Sequence, residues 1–407
     1  MATSYPKNKI KVLLLENVHP DAQMLLSQEE FQVELVAGAL DETELKEKIK
    51  GVHVLGIRSK TNVTAKVLEN ADKLMAIGAF CIGTNQIDLE ACKMKGVAVF
   101  NAPFSNTRSV VELAIGEIIM LLRNIPDKTR DMHTSKWTKS AKNSFEVRNK
   151  KLGIIGYGNI GSQLSILAEA MGMEVYFYDI VDKLALGNAK KCRTQEDLLQ
   201  KVDIVSLHVD GRPSNKEIFG KEQFDQMQEG SYFLNLARGH VVVVEDLVAA
   251  LDSGKILGAG VDVFPEEPKT NNEPFQNKLI GKDNVILTPH IGGSTAEAQV
   301  HIGNYVPEKI ISYINSGSTY GSVNLPNLQL PSFKNSHRLL HIHKNTPGIL
   351  ATINNKLADT GCNIVGQYLK TNEEVGYVIV DIDQEHKAEI LESFREIEGT
   401  IKTRILY

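Results

Sequence analysis

The sequence predicts an α/β architecture that ends in a small unit of mixed strands and helices. Three observations carry that prediction. Short apolar strands alternate with helical segments from Ile10 to Phe100. A second alternation opens at the glycine-rich turn Gly156-Tyr157-Gly158-Asn159-Ile160-Gly161. Beyond Ser336 the order becomes strand, helix, strand, strand, helix, strand.

In the first stretch, strands are expected at residues 11–15, 32–36, 52–57, 74–79 and 97–100, with helices at 21–26, 42–49, 65–70 and 88–95. Such alternation implies a parallel sheet covered by helices on both faces, here of flavodoxin-like type. Asn101-Ala102-Pro103 makes a turn, and residues 109–123 then form a helix with Val110, Leu113, Ala114, Ile115, Ile118, Ile119, Leu121 and Leu122. A helix apolar around so much of its surface should be buried between domains or subunits.

The glycine turn follows the strand Lys151-Leu152-Gly153-Ile154-Ile155. Gly156 permits a tight turn, Gly158 lets the backbone approach a pyrophosphate, and Gly161 lets the next helix pack close to the strand. That helix carries Leu164, Leu167, Ala168 and Met171 on one face and stops at Gly172. A second strand, 175–178, ends in Asp179, 18 residues beyond Gly161. A carboxylate there accepts hydrogen bonds from both ribose hydroxyls and repels a 2′-phosphate, so the pattern favours NAD over NADP. The alternative for Asp179 is a plain strand-end residue. Further strands at 204–208, 232–235, 259–263 and 285–288 complete a doubly wound sheet.

A helix at 296–315 leads into a Ser-, Gly-, Asn- and Pro-rich stretch, 317–335, with the composition of a linker. The tail, 336–407, is expected as strand 338–343, helix 347–359, strands 363–369 and 376–382, helix 386–397 and strand 401–406. This βαββαβ order is that of a ferredoxin-like domain. Thr346 should cap its first helix, Pro347 should take the first position and Gly361 should end it.

At 407 residues the chain has room for two or three domains, and 42% hydrophobic with 23% charged residues is ordinary globular composition. A net charge of -5 gives no reason to expect nucleic acid. Cys81, Cys92, Cys192 and Cys362 are scattered without a Cys-x-x-Cys pair, which argues against a zinc site or a disulfide framework. No metal is expected. The amino terminus lacks the apolar core of a signal peptide and no stretch has membrane-spanning length, so a cytoplasmic protein is expected.

A nicotinamide cofactor requires a base for the substrate hydroxyl and a cation for its acid group. Arg238 follows the strand Tyr232-Phe233-Leu234-Asn235-Leu236-Ala237, at the end that faces the ligand crevice of an open α/β sheet. His290 follows Val285-Ile286-Leu287-Thr288-Pro289 and titrates near neutrality. The loop Asp262-Val263-Phe264-Pro265-Glu266-Glu267-Pro268 could bring a carboxylate to His290 and raise its pKa. Taken singly, these are also a surface arginine, a structural histidine and a solvated acidic loop. Together they fall on strand ends of one sheet.

The glycine turn, Asn235-Leu236-Ala237-Arg238-Gly239, Asp262 to Pro268 and Thr288-Pro289-His290-Ile291-Gly292-Gly293 closely resemble the D-2-hydroxyacid dehydrogenase family. The segment Phe80-Cys81-Ile82-Gly83-Thr84-Asn85-Gln86-Ile87-Asp88-Leu89, with a tail similar to an ACT domain, narrows the resemblance to members acting on a phosphorylated acid. The resemblance implies a substrate domain made of 1–104 and 294–316, an inserted NAD-binding domain at 105–293, the linker at 317–335 and an ACT regulatory domain at 336–407. It implies Arg238 on the substrate carboxylate, His290 as acid/base and Glu267 as its partner. Gly156, Gly158, Asn159, Ile160, Gly161, Ala237 and Gly292 would line the NAD site, with Asp179 on the ribose and Asp262 on the nicotinamide carboxamide. Arg58, Ser59 and Asn106 match substrate-contacting positions, whereas Lys60 stands where related enzymes can carry a second arginine, without the bidentate fork. His343, Asn345 and Asn363 would hold L-serine between two tail domains.

The activity so implied is NAD-dependent oxidation of 3-phospho-D-glycerate to 3-phosphooxypyruvate, the first committed step of L-serine synthesis, inhibited by L-serine. The resemblance further implies a homotetramer and reduction of 2-oxoglutarate as a side activity, while charge and the lack of a spanning stretch leave no nucleic-acid or membrane partner expected. Two alternatives stand beside it: dehydrogenation of another D-2-hydroxy acid, or a non-catalytic protein that senses NAD(H).

Overall fold

The computed structural model describes residues 5–268, 273–331, 337–383 and 388–406. The chain divides into two compact units, Asn106–Ala298 and a second made of Met1–Ser105 with Gln299–Tyr407.

The amino-terminal sheet holds β1 (Lys11–Leu14), β2 (Gln32–Leu35), β3 (Val54–Ile57), β4 (Ala76–Ala79) and β5 (Ala98–Phe100). All pairings are parallel and the order is β2-β1-β3-β4-β5, the flavodoxin-like order expected. The direction of winding reverses between β1 and β3, so the connections leaving these two strands diverge and open a crevice at their carboxyl ends. Between strands lie α1 (Pro20–Gln28), α2 (Glu42–Lys48), α3 (Ala65–Leu68) and α4 (Leu89–Met94). Their starts are fixed locally: Asp41 and Glu44 form a capping box at α2, and Asp88 caps α4 through the Ala91 amide.

The second unit begins with α5 (Thr107–Leu122) and α6 (Ile125–His133), then continues through β6 (Lys151–Ile155), α7 (Asn159–Ala170), β7 (Glu174–Tyr178), β8 (Lys190–Lys191), α8 (Gln195–Leu199), β9 (Ile204–Leu207), α9 (Lys221–Gln226), β10 (Ser231–Asn235), α10 (Val244–Asp252), β11 (Ile256–Val261) and β12 (Val285–Leu287). The parallel order is β12-β11-β10-β9-β6-β7-β8, with the reversal between β6 and β9. The apolar helix α5 finds a partner within this unit: Val110, Val111, Ala114, Ile118, Leu121 and Leu122 join the core with Ile154, Leu164 and Leu234.

After α11 (Ala296–Ser316) the tail contains β13 (His337–Lys344), α12 (Ile349–Asp359), β14 (Ile364–Thr371), β15 (Val375–Ile382), α13 (Ala388–Arg395) and β16 (Thr400–Ile405). They form an antiparallel sheet of order β14-β15-β13-β16. One face buries Leu339, Val378 and Val380 against Ile353 and Leu357 of α12 and Phe394 of α13. The opposite face, with Leu340, Ile342, Tyr377 and Ile379, shares a core with Phe100, Tyr313 and Ile314. Lys402 Nζ donates to Leu74 O at 2.6 Å and Tyr377 Oη to Gly317 O at 2.6 Å.

The linker of the sequence reading is therefore packed where it is described. Val323 N donates to Val99 O at 2.9 Å, Val99 N donates to Asn324 Oδ1 at 2.9 Å, and Thr319 is fully buried. Residues 332–335 of that linker, and the expected boundary at 336, lie outside the described residues. The first tail helix also starts later than expected. Gly348, at φ 91, is its N-cap, so Pro347 and Gly348 form a turn and Thr346 makes no side-chain cap. Gly361 ends the helix at φ 72, as expected. The predicted start of the last helix, residue 386, lies outside the described residues.

Candidate active site

In the unit Asn106–Ala298, the glycine turn sits at the reversal between β6 and β9. Gly156 has φ 94, and a Cβ there would lie 2.5 Å from the His208 carbonyl oxygen at the end of the neighbouring strand. A Cβ on Gly161 would overlap the Gly156 carbonyl. Gly158 differs, because a Cβ there meets no atom within 4 Å. Protein packing does not require that glycine, so its bareness serves whatever approaches the turn. The start of α7 beside it, with Asn159 and Ile160, offers the unpaired amides that suit a pyrophosphate.

Asp179 is tied to the same turn. Its Oδ2 accepts the Tyr157 amide at 2.8 Å and its Oδ1 the Val181 amide at 2.8 Å. Each oxygen keeps acceptor capacity, which fits a ribose diol. The residues present thus fit an adenine dinucleotide.

Around β10 to β12 the candidate chemistry converges. His290 Nδ1 and Glu267 Oε2 are 2.8 Å apart, and Glu267 Oε1 accepts the Phe264 amide at 3.1 Å. The Glu267 hydrogen bond holds the His290 pKa above its ordinary value, opposed by burial and by the Arg238 charge. Burial, the largest single influence on Glu267, pushes its carboxyl up; the bonds from His290 and Phe264 together bring it below the usual range.

His290 has φ 54, a left-handed backbone that is uncommon for a residue other than glycine. What holds it there is Asp262, almost fully buried at the end of β11. Asp262 O accepts the His290 amide, Oδ1 accepts Thr288 Oγ1 at 2.6 Å and the Ile291 amide at 2.8 Å, and Oδ2 accepts the Gly292 amide at 2.8 Å. Gly292 has no alternative, since a Cβ there would lie 2.9 Å from Asp262 Oδ2. Asp262 thus braces the turn that presents His290, beyond the cofactor contact expected of it.

Arg238 leaves β10 extended, and its Nη1 donates to Ala237 O at 2.7 Å. The side chain of Asn235 shapes this exit by accepting the Ala237 amide at 3.1 Å and donating to Arg238 O at 3.1 Å. Gly239 is required here because a Cβ would overlap the Phe264 carbonyl group. Asn106, before α5, abuts Gly293, and its buried Oδ1 has no hydrogen-bond partner among the described residues.

The sequence reading assigned no role to Asn235 and Thr288, although both lie inside its motifs: Asn235 bonds to nearby backbone, and Thr288 donates to the Asp262 carboxylate, a partner distant in the chain. It also missed Glu117, a fully buried α5 carboxylic acid against Gly260 with neither oxygen hydrogen-bonded among the described residues. Burial, then the Asp262 charge, pushes its carboxyl up to about 8.

Arg58 and Ser59 belong to the other unit, directly after β3. In the tail, His343 is 3% exposed and its Nε2 is buried without a partner among the described residues, while Nδ1 lies 2.8 Å from Lys344 O. Asn345 Nδ2 donates to Asn372 O at 2.7 Å. Asn363 is at the far end of the sheet, since His343 pairs with Gly376 while Ile364 pairs with Ile382. At about 3.4 Å per residue this separates them by roughly 20 Å. Among the described residues no group of acids, cysteines and histidines could hold a metal, and no helix is long and apolar enough to cross a membrane.

Compared with known proteins, residues 115–292 match the model of the D-isomer specific 2-hydroxyacid dehydrogenase NAD binding domain, and 339–402 match an AHAS small subunit-like ACT domain. The chain is 52% identical over 405 residues to a D-3-phosphoglycerate dehydrogenase of Haemophilus influenzae, covering 99% of both chains. It is 50% identical over 407 residues to one of Escherichia coli K12, again with 99% of each covered, and 50% identical over 405 residues to one of Dictyostelium discoideum, covering 100% of this chain and 99% of that protein. Among solved structures, D-lactate dehydrogenase from Aquifex aeolicus complexed with NAD and lactic acid is similar at TM-score 0.67 and 26% identity, covering 78% of this chain and 100% of that one. D-2-hydroxyisocaproate dehydrogenase shares the fold at TM-score 0.68 and 24% identity, covering 78% of this chain and 100% of that one.

Proposed function

Since this chain belongs to the D-isomer specific 2-hydroxyacid dehydrogenase family and is an NAD-dependent oxidoreductase, we propose that it oxidises 3-phospho-D-glycerate to 3-phosphooxypyruvate in L-serine synthesis. The observation that carries the reading is the 2.8 Å pairing of Glu267 with His290 Nδ1, which leaves Nε2 of the ring to receive a proton. The turn Gly156 to Gly161, with Ala237, Asp179, Asp262 and Gly292, would hold NAD, which when bound would supply a hydride acceptor. His290 Nε2 takes the hydroxyl proton, Glu267 stabilises the resulting imidazolium, and Arg238 orients the carboxylate through its planar fork. Asn106 contributes to the carboxylate end, and Arg58 with Ser59 receives the phosphate.

Regulation follows from the tail. L-serine would bind His343 and Asn345 of one tail and Asn363 of another, because one tail holds these residues too far apart for a single small ligand. The buried Nε2 of His343, without a partner among the described residues, supports an effector there. A homotetramer supplies the paired tails, and exposed Met132 and Trp137 on the nucleotide unit offer apolar surface for a second pairing. Four cysteines scattered without a Cys-x-x-Cys pair suit a reducing cytoplasm.

NADH consumption with phosphooxypyruvate, hydroxypyruvate and 2-oxoglutarate, each with and without L-serine, tests the reading. Preference for phosphooxypyruvate and its suppression by serine are expected. Equal turnover of phosphooxypyruvate and hydroxypyruvate would instead indicate another D-2-hydroxy acid as substrate, and NADH binding without turnover a sensing protein.

A further inference from the structure

We infer that Glu16 is a positioning residue for the substrate's phosphate: its carboxylate sets the backbone of the 58–63 loop so that Arg58 and Ser59 face the crevice. This rests on the proposed phosphorylated substrate and on the assignment of Arg58 to its phosphate.

Glu16 lies just beyond β1, and the loop it holds lies just beyond β3. These are the two strands between which the sheet reverses direction, so both segments border the crevice where open α/β sheets take ligands. Glu16 is 8% exposed, an unusual setting for a carboxylate. Both of its oxygens are committed to this loop: Oε1 accepts the Thr61 amide at 2.8 Å and Oε2 accepts the Lys60 amide at 3.0 Å.

Two further facts separate this arrangement from ordinary loop packing. Glu16 has φ 61 and Asn17 has φ 51, two successive left-handed residues without a glycine. Such conformations are unfavourable for residues with a side chain and persist only where surrounding contacts impose them. Here the imposed result is a buried carboxylate pointed at two backbone amides. The loop is also gripped from its other side by Gln86, itself 7% exposed. Gln86 Nε2 donates to Arg58 O at 2.6 Å, and Gln86 O accepts the Val63 amide at 2.8 Å.

The loop backbone is thus held at Arg58 and Val63 by Gln86, and at Lys60 and Thr61 by Glu16. The side chains of Ser59 and Lys60, between these points, are exposed, and that of Arg58 is half-buried. Glu16 has no need to touch the substrate. A displaced loop would move the Arg58 fork away from the phosphate, and an error of about 1 Å in such placement can cost on the order of 100-fold.

Replacing the carboxylate by an amide keeps the shape but turns an NH2 group toward one of the two backbone donors. Glu16→Gln should therefore lower kcat/KM for phosphooxypyruvate by about 10- to 100-fold, mainly through KM. With hydroxypyruvate, which has no phosphate, the loss should stay below about 3-fold on the same reasoning. Arg58→Ala should show the same selectivity, and the double variant should be no worse than Arg58→Ala alone, because Glu16 acts through Arg58. Glu16→Asp, which keeps the charge, should recover part of the loss.

If Arg58→Ala abolishes the preference for phosphate while Glu16→Gln retains it, or if Glu16→Gln slows both substrates equally, the role of Glu16 is overturned and the substrate reading stands. If Arg58→Ala itself leaves the preference intact, the assignment of Arg58 falls and the inference falls with it. Absence of any phosphate preference in the wild type removes the substrate reading; additive effects of the two substitutions, measured with either acid, then count against Glu16 acting through Arg58.

Discussion

At the scale of single residues, His290 and Glu267 act as one unit. His290→Ala should lower kcat by about 10²–10⁴-fold, the usual contribution of a positioned base, with NADH affinity retained in a fluorescence titration. Oxidation needs neutral His290, and Glu267 raises its pKa, so wild-type kcat/KM for the hydroxy acid should fall as pH drops through that raised value. Glu267→Gln removes the leading cause of the shift, so the acid limb should move to lower pH. Glu117 offers a test of stability. Its carboxyl is raised from 4.5 to about 8, so the folded protein retains a proton that the unfolded chain releases. The stability present below pH 4.5 must decline as pH rises and level off above about 8. At ~1.4 kcal/mol per unit the loss is on the order of 3–5 kcal/mol. Glu117→Gln has no such proton to lose, so its urea midpoint should exceed the wild type's at pH 8–9 and approach it near pH 4.5.

At the scale of elements, four strand-end turns carry the candidate site, and the glycines that three of them hold serve different ends. Gly239 is bare because Phe264 backbone occupies the space a Cβ would take, whereas Gly158 is bare against open space. Gly239→Ala should therefore destabilise the fold by about 1–3 kcal/mol, the range for overpacking, seen as a lower thermal midpoint. Gly158→Ala should leave that midpoint unchanged and weaken NADH binding. The motifs at 156–161, 235–239, 262–268 and 288–293 were all legible in the sequence because each combines a strand end with a constrained turn. The start of α12 was misread because Pro347 suits the first turn of a helix, yet Gly348 at φ 91 delays it to Ile349.

Across the whole molecule, the tail is joined to the amino-terminal sheet. Leu340, Ile342, Tyr377 and Ile379 of the tail share a core with Phe100 and Tyr313, so removal of the tail would uncover apolar side chains as well as take away the proposed effector residues. Deletion beyond residue 331 should consequently lower solubility and thermal midpoint, which confounds it as a test of regulation. Point variants are cleaner: His343→Ala or Asn363→Ala should abolish L-serine inhibition while leaving uninhibited kcat near the wild-type value, measured by NADH consumption.

The amino-acid sequence alone made legible the order of strands and helices along the chain, the dinucleotide turn, Asp179 as a candidate for the ribose, and Arg238, His290 and the acidic loop 262–268 as candidate chemistry, because periodicity, glycine spacing and strand-end position are local properties; Glu267 was singled out within that loop by the family resemblance. Tertiary structure decided what depends on residues distant in the chain. It brought Glu267 to His290, made Asp262 the brace of the turn that presents His290, buried Glu117, clasped the 58–63 loop between Glu16 and Gln86, and seated the tail on the first sheet. These are pairings of a polar atom with backbone or of one apolar face with another, and such partners become neighbours only once the sheets have assembled.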